Sequence, residues 1–206
     1  MNWFELSENV LLLRTPRNHQ LADQILKLRI DSVLDVVSTE NELAIEHSST
    51  DILDLISRIE EIDIDESNRD TEVQEIPVCY ELGLDWQQLE THSGLSKEDI
   101  ISLLEKETFQ ASYGFTPGFL YLSGLPEILH CPRRESPRNR VDPGSVGIGG
   151  DKTGIYSLDS PGGWHILGRT PLKLFDPNLE PPVPVGAATS IRFIRISLEE
   201  FQSWET

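Results

Sequence analysis

Apolar positions in the first 60 residues follow the two periods of regular secondary structure. Residues 10–13 (VLLL), 33–37 (VLDVV) and 42–46 (ELAIE) are short runs of strand length. Between residues 21 and 28, and again after Thr50, apolar residues recur at spacings of three and four. This predicts two amphipathic helices, the second capped by Thr50. The order strand, helix, strand, strand, helix indicates helices on one side of an antiparallel sheet.

Periodicity disappears over residues 61–75, where the chain becomes acidic and polar. Such a composition is typical of an exposed linker. A strand-like run resumes at Ile76, and two short helices follow, the second with a capping box at residues 96–99 (SKED). The pattern predicts two domains, residues 1–75 with the linker at its end and residues 76–206.

Short apolar segments alternate with glycine and proline in the last hundred residues. Eight of the fourteen glycines lie between Gly144 and Gly168. The segments predicted as strands are residues 145–148, 154–158, 164–167, 172–175 and 191–196. This spacing favours an all-β barrel or sandwich, so the predicted fold class is α+β.

Charge and composition exclude several classes of partner. The net charge is −18, and the first 110 residues carry 8 Lys+Arg against 25 Asp+Glu, so the chain repels nucleic acid. No apolar run approaches the roughly 20 residues that span a bilayer, and we expect no membrane partner. The N-terminal residues lack the pattern of a secretory signal, which favours a cytoplasmic location. Cys79 and Cys131 form no CxxC pair and are interpreted as reduced, buried side chains.

Cations collect in one segment of this acidic chain. Residues 131–173 hold seven basic and four acidic groups, and residues 133–140 (RRESPRNR) alone offer four guanidiniums. Guanidiniums suit carboxylate and phosphate groups. Residues 160–165 (SPGGWH) place two glycines, which let a ligand approach the backbone, beside two rings. A ligand site is the hypothesis, and a solvated loop with a turn around a core tryptophan is the alternative.

Several generic motifs fail when their spacing is tested. In residues 147–153 (GIGGDKT), Asp151 stands where a Walker loop needs glycine, and Lys152 stands at the third glycine of a dinucleotide fingerprint. The five histidines show no metal-ligand spacing, and no serine lies in a G-x-S-x-G elbow. We therefore predict no metal site and assign no catalytic residue.

Four sequence blocks in this region resemble one known family. They are residues 114–122 (GFTPGFLYL), 132–146 (PRRESPRNRVDPGSV), 153–156 (TGIY) and 160–171 (SPGGWHILGRTP). The chain resembles the family of the 5-oxoprolinase B subunit, also called sporulation kinase inhibitor KipI or allophanate hydrolase subunit 1, which corresponds to carboxyltransferase subdomains C and D. It departs from that family at Lys152, where Gln is usual, and at Ser157, where Pro is usual.

The resemblance implies a fold, an activity and partners. The expected fold is a small ferredoxin-like N-terminal α/β domain followed by a cyclophilin-like β-barrel domain. The expected activity is the ATP-dependent cleavage of 5-oxo-L-proline to L-glutamate. A 5-oxoprolinase complex with the homologous C subunit, together with the A subunit, would carry it out, and this chain alone would be inactive. ATP is the expected cofactor, bound within the complex.

Residues of these blocks are expected to bind the substrate or an anion: Arg133, Arg138, Arg140, Lys152, Thr153, Tyr156, Gly162, Gly163, Trp164, His165 and Arg169. A lactam amide is a poor electrophile, and phosphorylation of its oxygen would explain the use of ATP. Guanidiniums stabilise charge on phosphoryl oxygens, so the four arginines are assigned to anion contacts and the rings and glycines to a pocket wall. Phe115 and Phe119 are expected in the core.

Two other functions fit the same resemblance. A KipI-like protein would bind a sensor histidine kinase and block it without chemistry, using its acidic N-terminal domain. Half of a carboxyltransferase site, as in urea carboxylase or allophanate hydrolase, would use the same arginines to hold a carboxylate or carboxybiotin.

Overall fold

The computed structural model describes residues 2–15, 18–39, 41–63, 73–113, 116–179, 181–185 and 189–204. The chain divides into two compact units, Met1–Arg69 and Asp70–Thr206, and each has its own hydrophobic core. The fold is mixed α+β, as the sequence pattern predicted. No helix in the described ranges is long and apolar enough to cross a membrane.

The first unit is a four-stranded antiparallel sheet with two helices. Its elements are β1 (Asn2–Ser7), β2 (Val10–Arg14), α1 (Asn18–Leu28), β3 (Val33–Ser38), β4 (Glu42–His47) and α2 (Ile52–Glu60), and the strand order is β1-β2-β4-β3. Alternate residues of the central strands, such as Leu11 and Leu13 in β2, share a core with apolar residues of both helices. The predicted layer of helices on one side of a sheet is confirmed.

Two details of this unit differ from the sequence prediction. β1 was missed because five of its six residues are exposed and show no alternation. The described order β-β-α-β-β-α begins with this added strand, and the ferredoxin-like assignment (β-α-β-β-α-β) stays a prediction. The cap of α2 is Asp51, which accepts a hydrogen bond from the Asp54 backbone N–H at 3.0 Å, so the choice of Thr50 was wrong by one residue.

The second unit is built on a seven-stranded sheet. Its elements are β5 (Val73–Val78), α3 (Trp86–Ser93), α4 (Lys97–Lys106), β6 (Phe109–Tyr113), β7 (Leu120–Ser123), β8 (Arg138–Val141), β9 (Ser145–Gly149), β10 (Lys152–Ile155), β11 (Ser160–Gly162), β12 (His165–Arg169), β13 (Ser190–Arg195) and α5 (Leu198–Ser203). The strand order is β12-β9-β10-β7-β6-β13-β5, with β13 and β5 parallel and the other neighbours antiparallel. A separate ribbon pairs β11 with β8.

The two edges of the large sheet meet at one residue pair. Cys79, just after β5, donates to the Arg169 carbonyl at 2.8 Å and accepts from the Arg169 backbone N–H at 3.1 Å. A closed barrel requires a continuous ladder between its first and last strands. Because the described residues give one bridge here rather than a ladder, the cyclophilin-like barrel stays a prediction.

Several boundaries in the second unit differ from the sequence prediction. β5 begins at Val73, three residues before the predicted start of the strand. The predicted strand at residues 172–175 was wrong, since this segment is irregular. Pro171 has no N–H to donate, and the Leu172 N–H donates to the Thr170 hydroxyl at 3.3 Å instead of to a strand. Cys79 lies in the buried core, unpaired, as expected.

Candidate functional site

A cavity of about 210 Å³ lies where the family-like blocks of the second unit meet. The described residues that line it are Phe119, Arg133, Pro137, Tyr156, Pro161, Gly162, Gly163 and Trp164. Six of these eight residues belong to the set predicted from sequence or to the arginine-rich loop between them. The aromatic rings are packed against one another, with the Phe119 ring centroid 5.0 Å from that of Tyr156 and 5.7 Å from that of Trp164. The result is a pocket with a rigid apolar floor.

Glycines of β9 and β10 make room for the Trp164 indole. A Cβ placed on Gly149 would lie 2.5 Å from the indole Cδ1, and one on Gly154 would lie 2.8 Å from its Cζ3 and 2.5 Å from the Leu120 carbonyl oxygen. Contacts this short exclude any side chain at the two positions. The sequence assigned these glycines to tight turns, and at Gly149 and Gly154 that assignment was wrong because both pack against neighbouring atoms within strands.

Tyr156 places its hydroxyl beside the Gly162 backbone. A Cβ on Gly162 would lie 2.3 Å from the phenol oxygen, so only glycine fits here. The Tyr156 side chain is buried, and burial raises the pKa of its phenol above the usual value near 10, although a hydrogen bond from the Trp164 backbone and the Arg133 charge act in the opposite direction. The hydroxyl is therefore neutral at physiological pH and keeps a proton to donate.

The loop of residues 131–138 forms the basic wall of the pocket and is held at several points. Cys131 pairs with Gly150 through two backbone hydrogen bonds, of 2.7 and 3.0 Å. The His165 imidazole Nε2 lies 3.0 Å from the Pro132 carbonyl oxygen, and the Arg134 N–H donates to the Gly163 carbonyl at 2.7 Å. These contacts fix the loop against β11 and β12.

Asp85 is the residue that holds this loop from beneath, and the sequence pattern did not indicate it. Its carboxylate is 1% exposed. Its Oδ1 accepts from Arg134 Nη1 and from Arg138 Nη2, both at 2.7 Å. Its Oδ2 accepts from the Ile166 backbone N–H at 2.7 Å. Asp85 immediately precedes α3 and does not cap it with its side chain, so the local sequence signal, an acid before a helix, pointed to a different role.

The predicted arginines divide into three groups. Arg138 is tied to Asp85. Arg140 is an exposed residue that pairs with Asp142 at 3.3 Å and Asp159 at 3.0 Å. Arg169 donates from Nε to the Pro143 carbonyl at 2.8 Å, and its guanidinium lies 5.7 Å from the Phe201 ring centroid.

Arg133 differs from the other three. Its guanidinium lies 5.9 Å from the Trp164 ring centroid and faces the pocket. In the part of the chain that the structure describes, no carboxylate pairs with Arg133. Of the four predicted arginines, it is the one that lines the cavity.

The remaining predicted residues lie on the strands around the pocket. The Lys152 Nζ lies 3.1 Å from the Ser123 hydroxyl, and the buried Thr153 hydroxyl donates to the Gly147 carbonyl at 3.0 Å. Lys152 and Thr153 are not among the described residues that line the cavity. Phe119 is 1% exposed, as expected of a core residue, and it also lines the pocket. Phe115 lies outside the described residues.

No group of three or more His, Cys, Asp or Glu that could hold a metal ion is found among the described residues. In the pocket itself the polar groups are a guanidinium, a phenol and backbone amides. Such groups bind anions and hydrogen-bonding ligands and do not prefer cations.

Comparison with known proteins identifies the family. A family model for the carboxyltransferase domain, subdomains C and D, matches residues 3–185. The chain belongs to this family. The match covers both compact units and all of the residues that line the pocket.

Relatives in the carboxyltransferase C and D family carry one name. The 5-oxoprolinase B subunit of Haemophilus influenzae is 35% identical over 97% of this chain and 100% of its own length. The 5-oxoprolinase B subunit of Bacillus subtilis is 39% identical over 74% of this chain, and the match spans 64% of that relative. Among solved structures, TTHA0988 has a TM-score of 0.83 at 30% identity, covering 91% of this chain and 40% of the longer one.

Proposed function

We propose that this chain is the B subunit of a 5-oxoprolinase complex, which cleaves 5-oxo-L-proline to L-glutamate with hydrolysis of ATP. The observation that carries the proposal is the match to the Haemophilus influenzae 5-oxoprolinase B subunit, which spans that whole protein and 97% of this chain. The relatives are named as subunits, which supports partners, and we assign these to the C and A subunits of the complex. TTHA0988, in which the matched region is 40% of a longer chain, shows that this fold also occurs joined to further sequence.

The pocket supports a function that is completed by another chain. Its described lining includes one guanidinium and one phenol, and no carboxylate or imidazole. Hydrolysis of an amide requires a base to activate water and an acid to protonate the leaving nitrogen. Because the described lining provides neither, a partner subunit would provide them, and we infer that this chain is inactive alone.

The residues around the pocket do not fit ATP. A nucleoside triphosphate needs several cations or backbone N–H groups around its phosphates. Here Arg134 and Arg138 are neutralised by Asp85, and Arg140 by two exposed carboxylates. We therefore place the nucleotide on a partner subunit.

Two finer assignments belong to the same proposal. The single bridge between Cys79 and Arg169 brings the sheet edges together and supports a cyclophilin-like barrel. Both cysteines are buried and unpaired, which is compatible with a reducing compartment and supports a cytoplasmic complex.

Reconstitution tests this function. The chain is co-expressed with the C and A subunits, and ATP hydrolysis and glutamate release are measured with and without 5-oxo-L-proline. We expect turnover that needs both 5-oxo-L-proline and this chain. A stable complex that contains all three proteins and shows no turnover would refute the assignment.

Half of a carboxyltransferase site is the second candidate, because the matching family model carries that name. The same preparation is assayed for transfer of a carboxyl group from carboxybiotin to a small amide. Transfer without 5-oxo-L-proline cleavage would favour this second candidate. The KipI-like inhibition of a histidine kinase stays a prediction.

A further inference from the structure

The size of the pocket limits its ligand. Its volume of about 210 Å³ lies below the roughly 300–1,000 Å³ of sites that hold drug-sized ligands. A nucleoside triphosphate is itself of drug size and does not fit. A single small ring with a carboxylate does.

The charge of the pocket limits its ligand further. Arg133 contributes a guanidinium to the lining, while Arg134 and Arg138 bind the buried Asp85 carboxylate. One guanidinium matches one carboxylate through two parallel hydrogen bonds. A doubly or triply charged group would leave charge unpaired in a site with this lining.

The walls provide two further kinds of contact. The Trp164 and Phe119 rings, together with Pro137 and Pro161, present apolar surface to the body of a small ring. The Tyr156 hydroxyl, which already receives a hydrogen bond from the Trp164 backbone, keeps its own proton for a ligand oxygen. A compact ring with one carboxylate and one carbonyl oxygen uses all three features.

We propose that the cavity between Arg133, Tyr156 and Trp164 binds a small cyclic monocarboxylate, with the carboxylate on Arg133 and the ring against Trp164, and that it excludes nucleotides. Within this class, the choice of 5-oxo-L-proline rests on the proposed function. The loop that carries Arg133 is held by the Arg134–Gly163 hydrogen bond, so the guanidinium is positioned before the ligand arrives.

Calorimetric titration of the full-length chain tests this site directly. The ligands are 5-oxo-L-proline, 2-pyrrolidinone, which is the same ring without the carboxylate, and ATP. We expect saturable binding of 5-oxo-L-proline, and Arg133→Gln weakens it by about tenfold to a hundredfold, since a hydrogen-bonded charge pair is lost. Arg140→Gln is the matched control, because Arg140 is exposed, lies outside the cavity lining and is paired elsewhere. It leaves the affinity unchanged.

The remaining ligands separate the causes. 2-Pyrrolidinone binds the wild-type chain as weakly as 5-oxo-L-proline binds Arg133→Gln, and ATP does not displace 5-oxo-L-proline. The proposal is overturned if the wild-type chain does not bind 5-oxo-L-proline, if Arg133→Gln binds it as tightly as wild type, or if ATP displaces it. Circular dichroism confirms that both variants are folded.

The outcome is independent of the role of this chain in a 5-oxoprolinase complex. A chain that binds 5-oxo-L-proline through Arg133 but supports no turnover with the C and A subunits contradicts the proposed function and leaves the pocket assignment standing. Turnover by the complex without any binding to this chain gives the opposite result.

Discussion

Asp85 provides the most direct test of how the basic loop is held. The substitution Asp85→Asn keeps the size of the side chain and removes its charge. Two guanidinium nitrogens, from Arg134 and Arg138, then lose the carboxylate oxygen that lies 2.7 Å away from each. The amide also cannot satisfy both guanidiniums and the Ile166 N–H, because its nitrogen is a donor.

The expected loss of stability follows from burial. Removing one partner of a buried ion pair costs about 3–5 kcal/mol, because the other charge stays without compensation. The Asp85 side chain is 1% exposed, whereas the Arg134 and Arg138 side chains are 27% and 22% exposed and gain some hydration. We therefore expect a loss near the lower end, about 3 kcal/mol. This is a large part of the roughly 5–15 kcal/mol that stabilises a domain.

Urea unfolding followed by tryptophan fluorescence measures this loss. The first unit contains Trp3, so the experiment uses a Trp3→Phe background in which Trp86, Trp164 and Trp204 all report on the second unit. Asp159→Asn is the matched control, since its carboxylate pairs with Arg140 at 3.0 Å while the two side chains are 47% and 70% exposed. Exposed pairs contribute about 0–1 kcal/mol.

Equal losses in Asp85→Asn and Asp159→Asn would refute the reasoning, because the chemical change is the same and only burial differs. A local measurement distinguishes the cause. The Arg134 backbone N–H bonds to the Gly163 carbonyl, so its hydrogen exchange should accelerate in Asp85→Asn more than that of amides in α4. Unchanged exchange at Arg134 would show that the loop is held without Asp85.

Three further predictions concern packing, capping and pH. Gly162→Ala forces a Cβ to within 2.3 Å of the Tyr156 oxygen; we expect a loss of about 1–3 kcal/mol in thermal unfolding, and Tyr156→Phe in the same chain should restore part of it. Ser197→Ala removes the capping box of α5 and should cost about 1 kcal/mol, whereas Ser197→Asp, which can still cap, should cost less. Hydrogen bonds from Lys173 and Asn178 lower the pKa of Asp176 to about 2. Because this pKa lies below the unfolded value near 3.9, the stabilisation is present above about pH 4 and is lost as the pH falls through 2. An NMR titration of the Asp176 carboxyl measures it, and a midpoint near 3.9 would contradict the assignment.

Local pattern predicted most elements of this fold because it depends on neighbouring residues. Helix α4 begins at the predicted cap, where the Ser96 hydroxyl accepts from the Asp99 N–H at 3.2 Å. β9, β12 and β13 lie on the predicted apolar segments. The pattern failed at β1, which is largely exposed, because strands without a buried face show no alternation.

The candidate site divides in the same way. Sequence alone determined the family, the aromatic and glycine-rich blocks of the pocket and the segment that holds its cations, since each depends on residues close together in the chain. Only the tertiary structure decided which cations are available. Asp85 lies 49 positions before Arg134 and 53 before Arg138, and the fold that brings them together neutralises two arginines and leaves Arg133 facing the cavity. Electrostatic interactions depend on distance in space and on burial, and neither can be read from the order of residues.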